Sequence, residues 1–328
     1  MSALPTSGGA LPALRRWHAA PYLVTALVIA GVSVPLYAGM TGDSYLVAIM
    51  SRILVYALAA VGLNLCLGFG GMISMGHAMY LGLGAYIVPV AADLGVTNGW
   101  LQLLLLVLAV GPIAGVVGAI SLRTRGIAFI MITLAFAQMF FFLCVSFKRY
   151  GGDEGISLQQ LSDFGVQGSG KTGLYYALLA TLIVVIAASD RLKRSRFGLV
   201  LQAARINERR VGALGTNPLP YQLLAYVLSA LVCAIAGFFL ANLTGFVSPA
   251  SLAWTVSGEL IVMVVLGGLG TVMGPLVGAL SFLLVEEGLK ALTEHWLVIL
   301  GPLIVLMALL LRRGLWGLVA GREGGDAR

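Results

Sequence analysis

Apolar residues in this chain come in long runs separated by short polar links, rather than in the two-residue alternation of a half-buried strand. The runs lie at about 22–40, 45–66, 72–92, 100–121, 126–147, 173–189, 221–244, 254–269, 272–292 and 296–311. Each is near the roughly 20 residues that a helix needs to cross the hydrocarbon core of a bilayer. The pattern predicts an all-α integral membrane protein, a bundle of eight to ten transmembrane helices in which the shorter runs are re-entrant.

The stretch 62–86, GLNLCLGFGGMISMGHAMYLGLGAY, departs from a plain span because glycines stand at 68, 70, 71, 76, 82 and 84. Glycine weakens a helix and lets another backbone approach closely, so the stretch is either broken or an ordinary helix with a glycine face. Non-helical backbone at membrane depth survives only where protein buries it or where it lines a cavity. Asn64, Gly71, Ser74 and His77 are therefore candidate pathway or gate residues, although a lone histidine is read first as a hydrogen-bonding packing residue. Gly268 and Gly270 join them from a second series, Gly267, Gly268, Gly270, Gly274 and Gly278, whose GxxxG spacings point to a close helix contact. LGFGGMISMG at 67–76 and LGGLGTVMG at 266–274 are faintly alike, as in an internal repeat.

Composition narrows the class. With 59% hydrophobic and 10% charged residues, and a mean hydropathy of +0.99, the chain lies outside the range of soluble domains, where about a quarter of residues are charged. The net charge of +7 does not mark a nucleic-acid binder, because the basic residues sit in short links and not on a soluble face. With the N-terminus inside, fifteen of the twenty Lys and Arg fall in inner links, seven of them between Arg191 and Arg210. That excess predicts two cytoplasmic termini. The expected organisation is an N-terminal tail at 1–20, a single transmembrane domain at 21–315 with an inner link at 190–220 and an outer loop at 148–172, and a C-terminal tail at 316–328. Cys66, Cys144 and Cys233 lie in apolar runs without metal-ligand spacing and read as buried thiols.

Chemistry-bearing motifs are few. GVQGSGKT at 165–172 has the letters of a phosphate-binding loop but lies in the outer loop and runs into a membrane helix, so it reads as a turn. Arg52 and Glu259 lie at similar expected depths and are candidates for a structural ion pair, or for flanking an outer vestibule. Glu286 and Lys290 have helical i, i+4 spacing near an outer end, where interfacial solvation is the default reading. Residues 199–214, LVLQAARINERRVGAL, carry a partial helical stripe of apolar positions with Arg205, Arg209 and Arg210 on other faces. Such a helix either touches anionic lipid or docks on a partner.

Four separated elements resemble the membrane subunit of branched-chain amino acid ABC importers: LNLCLGFGGMISMGHAMYLGLGAY from Leu63, GGDEGIS at 151–157, RFGLVLQAARINERRVGALGTNPLPYQLLAYVLSA at 196–230, and GFVSPASL with GELIVMVVLGGLGTVMGPLVGA between 245 and 279. The likeness covers about 45–315. It implies an ABC importer permease fold in the bacterial inner membrane, pairing with a second homologous permease subunit, two cytoplasmic ATPases and an extracytoplasmic binding protein. ATP and Mg would be bound by the ATPases, with no cofactor in this chain. Residues 198–215 would form the coupling helix, with Arg205, Asn207, Glu208 and Gly215 as the ATPase-coupling residues. Arg210, Val211 and Gly212, as well as Met72 and Tyr80, depart from the family's usual residues. The resemblance implies transport of branched-chain or related small amino acids, with urea, short amides or aromatic acids as alternatives. A stand-alone secondary transporter would want a carboxylate near the midplane, and a membrane enzyme a catalytic constellation that the sequence does not supply.

Overall fold

In the computed structural model, residues 31–35, 37, 44–158, 160–164, 170–310 and 314–319 are described. Eleven helices are used below: α1 (Ser44–Asn64), α2 (His77–Asp93), α3 (Gly99–Ser121), α4 (Ile127–Ser146), α5 (Gly170–Arg194), α6 (Arg196–Ala213), α7 (Leu219–Thr244), α8 (Trp254–Gly267), α9 (Gly274–Leu292), α10 (Trp296–Leu310) and α11 (Gly314–Val319). A π-helical turn, Leu65–Phe69, extends α1. Among the described residues, five helices are long and apolar enough to cross a membrane: Tyr45–Phe69, Gly99–Ser121, Ile127–Ser146, Thr172–Arg194 and Leu219–Thr244. The chain is thus a multi-pass membrane protein. The span expected at 22–40 falls largely outside the described residues, and the run expected at 72–92 becomes helical at His77. The apolar helix α8 has 14 residues and so rises roughly 21 Å against a hydrocarbon core of roughly 30 Å. It is preceded by a 3-10 turn, Pro249–Leu252, that dips into the bundle and seats Leu252 against Gly82 of α2.

The core is built on α7, which packs along α1, α2 and α3. Lipid tails are as apolar as leucine, so helices in a bilayer are held by close fit rather than by removal of water. The fit here is backbone to backbone. A Cβ on Gly84 would fall on the Ala234 carbonyl, and one on Gly237 would fall on the Leu81 carbonyl, so α2 and α7 cross where neither has a side chain. Gly267 and Gly278 do the same for α8 and α9, against the carbonyls of Gly274 and Met263. Leu58, Leu63, Met79, Tyr80, Tyr226 and Phe238 are fully buried around these crossings. Cys66, Cys144 and Cys233 are buried free thiols; Cys66 Sγ lies 3.4 Å from the Met72 carbonyl and Cys233 Sγ 3.4 Å from that of Ala59.

At the end of the bundle away from α6, the loop after α4 is tied down. Strand β1 (Ile156–Ser157) pairs antiparallel with β2 (Phe246–Val247), Ile156 opposite Val247. Ser162 is buried between Gln102, which accepts its hydroxyl proton, and Asn242, whose Oδ1 accepts its N–H at 2.9 Å. Arg149 pairs with Asp93 at 3.0 Å. Positions 165–169 of the phosphate-loop lookalike lie outside the described residues, and Gly170 already opens α5.

The expected Arg52–Glu259 pair is not formed. Arg52 instead bonds Glu286 of α9 at 2.9 Å, with Glu287 at 3.9 Å, and Lys290 takes the same Glu286 oxygen. Sequence gives the depth of both glutamates but not which of α8 and α9 turns a carboxylate toward α1. Glu259 remains near enough to interact electrostatically with Arg52, Glu286 and Lys290. Interfacial solvation does not describe Glu286 either, since it is 5% exposed. Glu286→Gln keeps the shape but cannot satisfy two cations, and is expected to cost about 1.5–3 kcal/mol. The check is a lowered apparent melting temperature in detergent beside an unchanged one for Glu294→Gln.

Candidate functional site

The helix pairs α1/α2 and α8/α9 are two hairpins, and their glycine-rich tips, 65–76 and 268–273, cross at the end of the bundle that carries α6. Backbone freed from a helix inside a membrane needs partners, and Asn64 supplies two of them. Its Nδ2 donates to the Thr271 carbonyl at 2.8 Å and its Oδ1 accepts from the Gly270 N–H at 3.2 Å. Asn64 is 1% exposed, so both bonds are shielded from water. The tips approach so closely that a Cβ on Gly68 would come 2.7 Å from the Gly270 nitrogen.

Within the tips, local chemistry closes the remaining bonds. Gly71, at φ +68, turns the chain in a left-handed conformation that suits glycine, and its N–H reaches the Leu67 carbonyl at 3.1 Å. Thr271 caps α9: its Oγ1 accepts from the Gly274 N–H at 3.1 Å and donates to the Gly268 carbonyl at 2.8 Å. Ser74 caps the approach to α2 by accepting from the Gly76 N–H at 3.2 Å. Gly268 and Gly270 both have positive φ, +121 and +74, which continuous helix would not allow. The GxxxG reading thus holds for Gly278 at the helix contact, while Gly268 and Gly270 belong to a break. The two likened sequences occupy matching hairpin tips.

Deeper along α2 lies a buried polar cluster. Ser229 Oγ donates to the Gly62 carbonyl at 2.7 Å, so it must accept from His77 Nε2 at 2.8 Å, which places the imidazole proton on Nε2. His77 Nδ1 is buried without a partner among the described residues. Tyr80 and Tyr226 share a 3.1 Å hydrogen bond and meet His77 edge-on, with ring centres 5.9 and 5.5 Å away. The Ala78 N–H is taken by Ser257 at 2.9 Å. His77 is thus a hydrogen-bonded packing residue in this arrangement, since the Ser229 hydroxyl beside it gives its proton to the Gly62 carbonyl and not to the imidazole. Among the described residues no three of His, Cys, Asp and Glu gather to hold a metal ion.

Helix α6 lies against the crossing. It is not the continuous helix expected over 198–215: Asn207 has extended backbone (φ −157, ψ 99), and its Oδ1 accepts from the Arg210 N–H at 3.1 Å, so it ends one helical piece and caps the next. Gly215, at φ +83, ends the second piece in the left-handed conformation common after helices. The apolar stripe splits. Leu201, Ala204 and Val211 are buried, whereas Leu199, Ile206 and Leu214 are 61, 71 and 83% exposed. Arg205 and Glu208 turn toward the bundle: Arg205 donates to the Gly68 carbonyl, and Glu208 pairs with Arg125 of the α3–α4 link at 3.0 Å. Between the first tip, that link and α6 opens a cavity of about 230 Å³, lined by Gly71, Ile73, Arg125, Phe129, Arg205 and Glu208.

Of the residues singled out in the sequence, Asn64, Gly268 and Gly270 meet at the crossing, Arg205 joins them with Gly71, and His77 and Ser74 lie one layer deeper. Lys193, Thr271, Ser229 and Arg125 were not singled out. Lys193 was counted among the basic residues of the link, where nothing in its neighbours separates it from Arg191 or Arg194. Thr271 could have been found as a hydroxyl residue three before Gly274-Pro275, a helix-start signal.

A bundle of apolar helices with two crossed breaks, and an amphipathic helix gripping the crossing, is the architecture of a membrane permease. Residues 45–308 match the family model described as branched-chain amino acid transport system / permease component, and the chain belongs to that family. It is 28% identical over 302 residues to the high-affinity branched-chain amino acid transport system permease protein LivM of Escherichia coli, covering 82% of this chain and 69% of the relative. The LivM protein of Salmonella typhimurium is 27% identical over the same shares. The high-affinity branched-chain amino acid transport system permease protein LivH of Escherichia coli is 25% identical over 291 residues, 80% of this chain and 91% of the relative. No solved structure matches the chain.

Proposed function

We propose that the chain is the permease subunit of an ATP-driven importer of the bacterial inner membrane, carrying branched-chain or related small amino acids. A second homologous permease subunit faces it, two cytoplasmic ATPases bind ATP and Mg, and an extracytoplasmic binding protein delivers the substrate. Both termini and α6 lie in the cytoplasm. The observation that carries this reading is the double-faced α6. Its inner side is bonded to the crossed tips, while Leu199, Ile206 and Leu214 stand exposed at the end where a motor would seat. The names of the relatives, each a branched-chain amino acid transport system permease protein, support the substrate class. The residues that seat the ATPase are then the exposed apolar ones, with Asn207 and Gly215 shaping the helix and Arg205 and Glu208 holding it to the bundle.

The test is affinity purification of the tagged chain from its native membrane, followed by uptake in reconstituted vesicles. Two ATPases and a second permease should come with it, and ATP should drive uptake of leucine, isoleucine or valine. A chain recovered alone, or a complex that takes up no amino acid with ATP, overturns the reading.

A further inference from the structure

The hairpin tips are bridged twice, by cations that belong to neither hairpin. Arg205, from α6, donates to the Gly68 carbonyl of the first tip. Its stem lies over Gly71, where a Cβ would stand 2.7 Å from Arg205 Cγ, and its Nη1 would be 3.3 Å from a Cβ on Gly270 in the second tip. Lys193, from the last turn of α5, does the converse. It donates to the Gly270 carbonyl of the second tip at 2.9 Å and holds its ammonium 5.6 Å from the ring centre of Phe69 in the first. Each cation therefore makes one charge-assisted bond, roughly twice as strong as a neutral one, to one tip and lies against the other.

The two cations also share one rigid support. Ser195 caps α6, with its Oγ accepting from the Gly198 N–H at 3.3 Å. Gln202 Nε2 donates to the carbonyls of Lys193 at 3.2 Å and Gly198 at 3.1 Å. A Cβ on Gly198 would overlap the Leu192 carbonyl, so the α5–α6 corner is closed backbone against backbone. The break at Asn207 lies beyond Arg205, which leaves Lys193, the corner and Arg205 on one unbroken piece.

We propose that Arg205 and Lys193 are positioning residues that lock the crossed tips to the α5–α6 corner, so that displacement of α6 is delivered to both tips at once. This rests on the importer reading for the source of the displacement, but the grip itself does not. A mere orientation role for these cations in an inner link would be served by any basic residue and would leave the tips unaffected.

The experiment has two arms, with Arg205→Met and Lys193→Met, which keep the apolar stems, and Arg205→Lys as the conservative variant. In the first arm, amide hydrogen exchange is measured on the full chain in nanodiscs. Each Met variant should raise exchange by about tenfold at the tip whose carbonyl it frees, 68–76 for Arg205→Met and 268–271 for Lys193→Met, with a smaller rise at the other tip, while α1 and α7 stay protected. In the second arm, the native complex should use about tenfold more ATP per amino acid imported in either Met variant, with ATP hydrolysis itself retained, and Arg205→Lys should restore part of the coupling. Unchanged exchange at both tips overturns the proposal, and so does wild-type coupling in both Met variants. If the wild-type complex shows no ATP-driven uptake, the importer reading fails, and the exchange arm still decides whether the cations hold the crossing.

Discussion

Asn64→Leu is expected to abolish transport and to lower stability by about 2–6 kcal/mol, because it leaves the Thr271 carbonyl and the Gly270 N–H buried without partners at about 1–3 kcal/mol each. Leucine is close to asparagine in size, so the loss would be of hydrogen bonds rather than of volume. The site is 1% exposed, which keeps water from replacing them. Asn64→Asp keeps one of the two bonds. Aspartate can still accept from the Gly270 N–H, but when ionised it sets a buried charge against the Thr271 carbonyl, so its stability should fall at least as far as that of leucine. Uptake and apparent melting temperature, measured on the same preparations, check both variants. Native stability in Asn64→Leu would mean that the tips do not depend on this side chain.

Gly237→Val is expected to prevent accumulation of folded protein altogether. A Cβ there would overlap the Leu81 carbonyl, and the obstacle is backbone on both sides, so no rotamer change relieves it. Overpacking of side chains costs about 1–3 kcal/mol, and a clash between two backbones exceeds that range because α2 and α7 must separate along their shared face. Gly258 supplies the control, since a Cβ added there meets nothing within 4 Å. Gly258→Ala should be tolerated and should gain a little helix propensity. Membrane yield and size-exclusion profile distinguish the two outcomes.

Much of this arrangement is legible in the sequence because the bilayer constrains it. Five of the ten apolar runs become helices of membrane-crossing length among the described residues, and the glycine series mark both hairpin tips. The crossing of the tips is less legible, since Asn64 and Gly270 are far apart in the chain and only the packing of α1 against α9 brings them together. The same reason accounts for the ion pair: Arg52 selects Glu286 over Glu259 by which helix face turns toward it, and hydropathy does not encode that. The break in α6 was hidden because Asn207 sits among good helix formers, with its capping role visible only once the backbone leaves the helix. The family resemblance points Arg205 at a partner's surface, yet its length lets it fold back over Gly71, a site open only because glycine has no side chain.

The three thiols have a practical consequence. Cys66 and Cys233 are fully enclosed and Cys144 is 8% exposed, so a bulky water-borne maleimide should find little to react with in the native chain. Reporter cysteines at exposed positions such as Ile73 beside the cavity under α6, or Leu214 just past the end of α6, can therefore be labelled against a silent background. Removing the native thiols first, as is customary, would instead disturb Cys66 where its sulfur rests on the Met72 carbonyl at the very tip under study.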